Sequence, residues 1–433
     1  LAFLDDHARQ LDFPPARKAP QEPHRTLDRM LYQSYQNYTD GTAPMRNAAR
    51  SAASMASMIP GFDFMGLTRN MTAFWEMSAR SHLTHTRPDF NITHATVGKD
   101  RVAVREEVVL THPFCNLLRF AKDGVPPQPK MLVIAPLSGH FATLLRPTIE
   151  TLLSDHDVYV TDWKNARDIA SSEGLFGIDD HIELLIDCIE TLGPDVHVFA
   201  VCQPSVQALA AVALMEEDDH PAIPKSLTLM AGPIDTRVSP NAVNKFATSH
   251  PIEWFESNVV SRVPFRFDGA GRSVYPGFLQ LSGFMSMNKE KHAKAQRDLY
   301  GHLVEGRDED AKTITKFYDE YCSVLDLTAE FFLETIETVF HDQRLAKGEL
   351  TYRGRKVDPG AITRTTLLTI EGERDDICSV GQTAAAHGLC SSLRPKQKRH
   401  HLQDGVGHYG TFSGRRWNGQ IYPEIRKVVR TAS

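Results

Sequence analysis

The chain has 433 residues, of which 41% are hydrophobic and 24% charged, and its formal net charge is −6; these values are ordinary for a globular protein. The negative balance argues against broad electrostatic binding to nucleic acid. No apolar run is long enough to span a bilayer, and residues 1–20 lack a basic region followed by an apolar core, so we expect no secretory signal.

The first hundred residues indicate an arm followed by a helical layer. Residues 1–26 carry four prolines among mixed charges, which predicts a flexible or loosely docked arm. From residue 27 the pattern becomes helical, and apolar residues recur at helical spacing in "FDFMGLTRNMTAFWEMSAR". We therefore expect a helical N-terminal extension over residues 27–100, rich in methionine and aromatic residues.

Residues 101–231 are predicted to form the first part of an α/β core. "RVAVREEVVLTH" and "CNLLRFAK" are candidate strands that open it. Further apolar strands then alternate with helices: "KMLVIAP", "DVYVTDW", "DVHVFAV" and "SLTLMAG" are separated by "HFATLLRPTIETLLSD", "IDDHIELLIDCIETLG" and "SVQALAAVALMEE". Pro147 should lie near the start of the first of these helices, and Gly193 should end the second. The alternation predicts an α/β fold with a mostly parallel central sheet covered on both faces.

A helical insert interrupts this rhythm over residues 232–350. It is aromatic as well as helical, as in "IEWFESNVV" and "LTAEFFLETIETVF". The strand pattern returns over residues 351–433 with "TTLLTIEG" and "KRHHLQ", followed by a last helix, "YPEIRKVVRTA". An insert between two strands of one sheet would lie over the carboxyl edge, where ligands bind in open α/β folds. We therefore predict a helical cap over residues 232–350, between the two parts of the core.

The cysteines are scattered along the chain without a CxxC or zinc-type spacing, at Cys115, Cys188, Cys202, Cys322, Cys378 and Cys390. This scatter fits a reducing cytosol better than a disulfide framework. The sequence therefore predicts free thiols, and we expect no metal site and no cofactor.

Cys202 stands between an apolar strand and an apolar helix in "VFAVCQPSVQALAAVAL". Strand, nucleophile and helix in this order describe a nucleophile elbow, whose tight turn needs small or specially shaped residues two positions before and after the nucleophile. Ala200 is small, and Pro204 in the first helical turn loses no hydrogen bond. On these five residues alone a buried packing thiol is the favoured interpretation, because free cysteine is among the most buried residue types.

Two further residues make a catalytic triad the better interpretation, because elbow triads run nucleophile, acid, base in chain order. Asp375 follows the strand "TTLLTIEG", with Asp376 as a competitor, and His408 follows the strand "KRHHLQ", with His400 and His401 as competitors inside the strand pattern. All of these loops belong to one edge of the sheet. The alternatives are a solvated loop acid or helix cap for Asp375 and an exposed loop histidine for His408.

The chemistry expected of such a triad is nucleophilic attack on an ester. His408 would take the thiol proton, and the thiolate of Cys202 would attack the carbonyl carbon. Asp375 would fix the tautomer of His408 and stabilise its charged form. The product of the attack is a thioester acyl-enzyme, which water or another acceptor releases.

Backbone N–H groups beside the elbow are expected to stabilise the oxyanion. The N–H of Gln203 is one candidate donor, and the second should come from the loop after "KMLVIAP", either from Leu137 or, as the fallback, from Ser138. "TDWKNAR" ends another strand at the same edge, so Trp163 and Asn165 could line the substrate pocket. A packed tryptophan and a turn asparagine are equally supported.

Taken together, five segments of the chain resemble the intracellular poly(3-hydroxybutyrate) depolymerases, which are α/β-hydrolase enzymes with a catalytic cysteine and are similar to the polyhydroxyalkanoate synthases. The segments are "VFAVCQPSVQALAA", "MLVIAPLSGHFATLLRPT", "VYVTDWKNAR", "TIEGERDDICSVGQT" and "QDGVGHYGTFSGRRW". The resemblance covers nearly all of residues 27–430 and implies a triad of Cys202, Asp375 and His408. It also implies the substrate, amorphous polyester in cytoplasmic storage granules, and the products, 3-hydroxybutyrate and short oligomers.

A polyester granule would be the main partner under this resemblance, with small oligomeric esters as soluble substrates. A granule is an apolar surface, and methionine-rich segments adapt to irregular partners. Candidate contacts are "FLQLSGFMSM" at residues 278–287, which includes Phe284 as a substrate-binding candidate, and "MASMIPGFDFMGL" at residues 55–67. Both stretches could instead belong to the core. The sequence is also compatible with an oligomer.

The nearest alternative is a polymer synthase, which uses the same three residue types but transfers acyl groups from coenzyme A thioesters. Synthases carry glycines around the cysteine and a histidine directly after the acid, whereas this chain has Ala200, Pro204 and Asp376 at those positions. Thiolysis by coenzyme A also stays open, although no glycine-rich phosphate cradle supports it. A non-catalytic granule protein and a serine hydrolase using Ser205 are further alternatives; the triad order and the place of Ser205 inside the helix argue against them.

Overall fold

The structure is a computed structural model that describes residues 24–57 and 67–432. Apart from residues 24–26, the arm predicted over residues 1–26 lies outside the described residues, as does most of the candidate granule contact at residues 55–67. The strands, in chain order, are β1 (His94–Val97), β2 (Asp100–Thr111), β3 (Cys115–Lys122), β4 (Lys130–Ile134), β5 (Asp157–Trp163), β6 (His197–Val201), β7 (Ser226–Met230), β8 (Ser261–Arg262), β9 (Ser273–Tyr275), β10 (Leu327–Thr328), β11 (Thr351–Tyr352), β12 (Arg355–Lys356), β13 (Thr366–Gly372) and β14 (Lys398–Gln403).

The α-helices follow the same chain order. They are α1 (His24–Ser57), α2 (Leu67–Arg80), α3 (Arg146–Leu152), α4 (Ile178–Leu192), α5 (Ser205–Glu217), α6 (Ala242–Thr248), α7 (Ile252–Asn258), α8 (Gly277–Met287), α9 (Lys289–Glu305), α10 (Asp308–Tyr321), α11 (Ala329–Thr335), α12 (Arg344–Lys347), α13 (Ala386–Leu389), α14 (Gly414–Arg416) and α15 (Tyr422–Ala432). No helix in the described ranges combines the length and the apolar character needed to cross a membrane.

Across the described residues, nine strands form a central sheet in the order β1-β2-β3-β5-β4-β6-β7-β13-β14. In this order the six strands from β5 to β14 run parallel to one another, whereas β1 with β2, β2 with β3 and β3 with β5 pair antiparallel. Every residue of β6 and β7, including the polar ones, is buried, because helices cover both faces of the sheet. From β2 onward the strand order is that of an α/β-hydrolase, so the predicted fold class is confirmed.

The helices around the sheet begin and end largely where the sequence pattern indicates. Pro147 lies in the first turn of α3, and Gly193 caps α4 with a φ of 76°, which glycine adopts without strain. The helical pattern that begins at residue 27 corresponds to one helix of 34 residues, α1, which continues through Pro44. Its packing against α2 and the cap stabilises a helix that propensity alone would interrupt.

Between β7 and β13 the chain forms helices α6 to α12 and two small sheets that the sequence pattern did not predict. Strands β8 to β12 have only two or three residues each, too few to show a period of two. This part of the chain is hydrogen-bonded to the carboxyl edge of the sheet: the N–H of Leu325 donates to the carbonyl of Gly139 at 2.9 Å. We call residues 232–350 the cap; these limits, like the other domain limits, stay a prediction.

A buried polar junction joins α1, the cap and the loop after β5. The carboxylate of Asp326 accepts hydrogen bonds from the Tyr32 hydroxyl and the Gly277 N–H, and the Asp326 N–H donates to the side-chain oxygen of Asn165 at 3.0 Å. Burial raises the pKa of Asp326 to about 6, against the opposing effect of these hydrogen bonds. Beside the junction, the ring of Phe278 in α8 stacks on Tyr35 at 4.0 Å. This end of the candidate granule contact at residues 278–287 therefore lies in the core.

Four buried histidines make the fold sensitive to acid. Burial lowers the pKa of His140, His156 and His197 to about 4 and that of His181 to about 3, whereas an unfolded chain takes up these protons near pH 6.5. Their contribution to stability is therefore complete above pH 6.5 and is lost as the pH falls toward 4. We expect the free energy of unfolding to drop over this window by about 1.4 kcal/mol per pH unit for each group.

The variant His181→Leu tests this expectation through denaturant melts between pH 7 and 4.5. His181 is fully buried among Trp163, Phe176 and Phe331, and neither ring nitrogen has a hydrogen-bond partner among the described residues. When the free energy of unfolding is plotted against pH, the slope should be smaller in the variant by about 1.4 kcal/mol per pH unit, which corresponds to one proton. An unchanged slope would show that His181 does not contribute to acid unfolding.

Candidate active site

Cys202 occupies a sharp turn between the end of β6 and the start of α5. Its φ is 63°, a left-handed conformation that costs strain in any residue other than glycine. Its N–H donates to the carbonyl of Met230 at 2.7 Å, and its own carbonyl accepts from the N–H of Ser205 at 3.1 Å. Pro204 caps α5 instead of lying inside its first turn. The backbone therefore has the geometry of a nucleophile elbow, with the half-buried thiol at its apex.

The elbow depends on close packing beneath the turn. A Cβ atom on Gly232, after β7, would lie 2.0 Å from the Ser205 hydroxyl oxygen and 2.9 Å from the Cys202 carbonyl oxygen. Only glycine fits this position. Ser205 itself is 0% exposed, and its hydroxyl oxygen points into this contact, so the arrangement does not favour Ser205 as a nucleophile.

His408 and Asp375 meet at the carboxyl edge of the sheet, after β14 and β13. The Nδ1 atom of His408 lies 2.8 Å from Oδ2 of Asp375. The other carboxylate oxygen of Asp375 accepts from the N–H groups of Ile377 at 2.9 Å and Cys378 at 2.8 Å. Both oxygens are therefore occupied, and the carboxylate is fixed in the orientation that holds the imidazole.

The competing acid and histidines have other partners. Asp376 accepts a hydrogen bond from Asn288 of the cap at 2.9 Å. His400 pairs with the hydroxyl of Thr369 at 2.9 Å on the neighbouring strand, and His401 pairs with a glutamine of its own strand. Of the alternatives that the sequence left open, the structure brings Asp375 and His408 together.

The electrostatics of His408 favour its protonated form. Burial alone would lower its pKa, but the charges of Asp375 and Cys202, and the hydrogen bonds of both side chains to the ring, raise the pKa of His408 well above its ordinary value. An imidazolium held between a carboxylate and a thiol stabilises the thiolate, which is the nucleophilic form of cysteine. The three side chains can therefore act as one nucleophile, base and orienting acid.

The predicted oxyanion donors lie beside the elbow. The N–H of Leu137 faces the side-chain oxygen of Gln203 at 3.4 Å, so the loop after β4 reaches the residue that follows Cys202. Ser138 is the next residue of this loop and is half-buried. The long distance from the Leu137 N–H to its present acceptor leaves this donor free to form a shorter bond with an incoming oxygen.

The three predicted substrate-binding residues lie in different surroundings. Trp163 is 1% exposed and donates from Nε1 to the carbonyl of Ala135 at 2.8 Å. Asn165 is buried and bonded to the cap, so both residues have structural contacts. Phe284 is half-buried, and its ring centroid is 6.0 Å from that of His140. Binding of substrate by these residues stays a prediction.

Aromatic residues that the sequence interpretation missed lie beside His408. Tyr409 follows His408, and its ring lies 6.1 Å from that of Tyr321 at the end of α10. Burial, together with the charges of Tyr321 and Cys202, raises the pKa of Tyr409 well above its ordinary value. The tyrosine directly after His408, in "GHYG", was the available signal.

A cavity of about 1050 Å³ lies among α1, α2, α9 and α10, and its lining includes Tyr35, Arg46 and Tyr318. Cys202, Asp375 and His408 are not among the described residues that line it. Within the described ranges, no group of three or more His, Cys, Asp and Glu side chains could hold a metal ion.

Comparison with known proteins links this chain to two kinds of protein. The family described as "PHB de-polymerase C-terminus" matches residues 231–433, which hold the cap, Asp375 and His408. The poly(3-hydroxyalkanoate) polymerase subunit PhaC of Haloferax mediterranei is 21% identical over 369 residues, which are 81% of this chain and 68% of that protein.

Solved structures with a similar fold include several hydrolases. A monoacylglycerol lipase from Paleococcus ferrophilus is 12% identical, with a TM-score of 0.41 over 73% of this chain and 99% of its own. A 2-hydroxy-6-oxo-6-phenylhexa-2,4-dienoate hydrolase from Rhodococcus is also 12% identical, with a TM-score of 0.40 over 76% of this chain and 99% of its own. The strand order and the elbow, described above, establish the α/β-hydrolase fold independently of these two proteins.

Proposed function

We propose that this protein is a cysteine-dependent poly(3-hydroxybutyrate) depolymerase that hydrolyses amorphous polyester in cytoplasmic granules to 3-hydroxybutyrate and short oligomers. The observation that carries the proposal is the hydrogen-bonded pair of His408 and Asp375 beside a cysteine at a strained elbow. The family match over residues 231–433 supports a polyester substrate.

In the first half of the reaction the chain is cleaved and an acyl-enzyme forms. His408 takes the proton of Cys202, and the thiolate adds to the ester carbonyl carbon. The N–H groups of Gln203 and Leu137 stabilise the resulting oxyanion. As the tetrahedral intermediate collapses, the bond to the ester oxygen breaks and His408 returns the proton to that oxygen. The products are an alcohol-ended chain and a thioester on Cys202.

In the second half, water releases the acyl group. His408 takes a proton from the water, whose oxygen adds to the thioester carbonyl, and the same N–H groups stabilise the second oxyanion. The carbon–sulfur bond then breaks, the thiolate leaves and the carboxylic acid is released. Asp375 holds the imidazole in the tautomer that each proton transfer needs.

A polymerase is the second candidate, because the Haloferax relative is a polymerase subunit. It would form the same acyl-enzyme from a coenzyme A thioester and pass the acyl group to the hydroxyl end of a polymer. Ala200 and Pro204 around the cysteine, and Asp376 after the acid, support the depolymerase. The two reactions differ only in the acyl donor and acceptor, so experiment can separate them.

The test measures the release of 3-hydroxybutyrate from amorphous granules by the purified protein, with and without coenzyme A. We expect release in water alone, and no polymer from 3-hydroxybutyryl coenzyme A in a parallel assay. Appearance of 3-hydroxybutyryl coenzyme A in place of free 3-hydroxybutyrate would mean thiolysis and contradict the proposed hydrolysis. Polymer formation without release would establish the polymerase and contradict the proposed hydrolysis.

A further inference from the structure

Three buried polar atoms around the loop after β4 have no hydrogen-bond partner among the described residues. They are the side-chain nitrogens Nε2 of His140, Gln203 and Gln280. Buried polar groups are almost always hydrogen-bonded, and an exception needs an explanation such as a ligand. Three exceptions around one short loop, beside a candidate nucleophile, indicate a site that a polar ligand completes.

The three side chains surround the same turn. Gln203 follows Cys202 and contacts the N–H of Leu137 through its Oε1 atom. Gln280, from α8 of the cap, lies so close to Gly139 that a Cβ there would come within 3.0 Å of its amide. Gly139 has a φ of 91°, so glycine is required both by the conformation and by the contact.

His140 packs against Tyr321 at the end of α10. It is 5% exposed, and its ring stacks on that of Tyr321 at 5.1 Å with an interplanar angle of 25°. The imidazole has a backbone hydrogen bond to Tyr321, and burial lowers its pKa to about 4, so the ring is neutral near pH 7. Because Nε2 is the unpartnered atom, we assign this bond and the ring proton to Nδ1. Nε2 then presents a lone pair, which accepts a hydrogen bond.

The residues around this loop therefore hold two amide N–H₂ donors and one imidazole acceptor without partners among the described residues. Ester carbonyl oxygens accept hydrogen bonds, and a hydroxyl group donates one. A hydroxyacyl ester has both, whereas a plain acyl ester has nothing to donate to an acceptor. The polar atoms of the site thus match a chain end that carries a free hydroxyl.

We propose that His140 recognises the free hydroxyl of a hydroxyacyl ester, while the amides of Gln203 and Gln280 donate to oxygens of the same polyester chain other than the reacting carbonyl. The inference rests on the proposed function and adds to it a substrate class, esters of hydroxy acids with an unblocked hydroxyl. It follows that the hydroxyl end of a short oligomer is bound close to Cys202.

The test compares two p-nitrophenyl esters, 3-hydroxybutyrate and butyrate, which differ in one hydroxyl. Wild type should favour the hydroxy ester in kcat/KM by roughly tenfold or more, because removing the donor leaves the acceptor unpaired. In His140→Phe the ratio should fall to about one, since no acceptor remains. The ratio of two substrates on one preparation does not depend on the fraction of folded enzyme.

Further variants separate recognition of the substrate hydroxyl from a loss of activity that any disturbance of the packing would cause. His140→Gln, whose amide oxygen can accept the same bond, should keep part of the preference. Gln280→Met should leave the ratio of kcat/KM for the two esters close to that of wild type, because the hydroxyl partner His140 remains. His181→Leu, at a buried histidine outside this loop, should keep the wild-type ratio.

The outcomes distinguish the two proposals. A wild-type ratio near one, or an undiminished ratio in His140→Phe, would overturn hydroxyl recognition while leaving the ester hydrolase intact. Equal effects of His140→Phe and His140→Gln on both esters, with the ratio unchanged, would show that only a buried water or a packing role is involved, which also overturns it. Failure of wild type to cleave either ester or the polymer would instead contradict the proposed function.

Discussion

Replacing Cys202 with alanine is expected to lower kcat for ester hydrolysis by a factor on the order of 10⁶, because loss of the nucleophile removes the covalent route altogether. The positive φ of Cys202 is set by the elbow and not by the thiol, so the variant should fold as the wild type does. The measurement is steady-state hydrolysis of a soluble ester, accompanied by a thermal melt of the same preparation.

Two matched variants strengthen this experiment. Cys188→Ala removes another buried thiol, in α4, and should retain activity while losing some stability through the cavity it leaves. Cys202→Gly should be as inactive as the alanine variant but more stable, since glycine adopts a φ of 63° without strain. Full activity in Cys202→Ala would mean that Cys202 is a packing residue.

Replacing Asp375 with asparagine is expected to lower kcat by about 10⁴-fold without unfolding the site. The N–H groups of Ile377 and Cys378 donate to one oxygen of Asp375, so they will hold the amide oxygen of an asparagine there. Its NH₂ group then faces Nδ1 of His408, which selects the tautomer protonated at Nε2. A histidine protonated at that atom cannot take the proton of Cys202.

Asp376→Asn is the matched control, one residue away. Asp376 is hydrogen-bonded to Asn288 of the cap and not to the triad, so this variant should keep kcat within a few-fold of wild type. The pKa of His408 should also fall in Asp375→Asn, because the carboxylate that raises it is gone. Equal losses in the two variants would argue against Asp375 as the orienting acid.

The parallel part of the sheet could be predicted because its strands are buried on both faces. Strands such as β6 and β7 are short, fully buried and mainly apolar runs separated by a helix, and this pattern can be recognised without knowledge of the packing contacts. The continuous helix α1 could not be predicted in this way. Its stability depends on contacts such as the stack of Tyr35 on Phe278, which join residues far apart in the chain.

The site was predictable as a set of loops but not as a set of contacts. The order of strands brings Cys202, Asp375 and His408 to one edge, whereas the choice between Asp375 and Asp376 depends on which carboxylate the local turn directs toward His408. Trp163 shows the opposite case. It ends a strand at the correct edge, yet its side chain is buried and bonded to Ala135. Chain position places a residue near the site, and packing decides where its side chain points.

The central claim is that Cys202 carries the acyl group during turnover. The most direct measurement is mass spectrometry of the protein quenched in acid during hydrolysis of a 3-hydroxybutyrate ester, with peptide mapping of any adduct. We predict a hydroxylamine-sensitive acyl group on the peptide that contains Cys202, present in wild type and absent from Cys202→Ala. Turnover with the adduct on another residue, or hydrolysis that persists in Cys202→Ala, would contradict the claim.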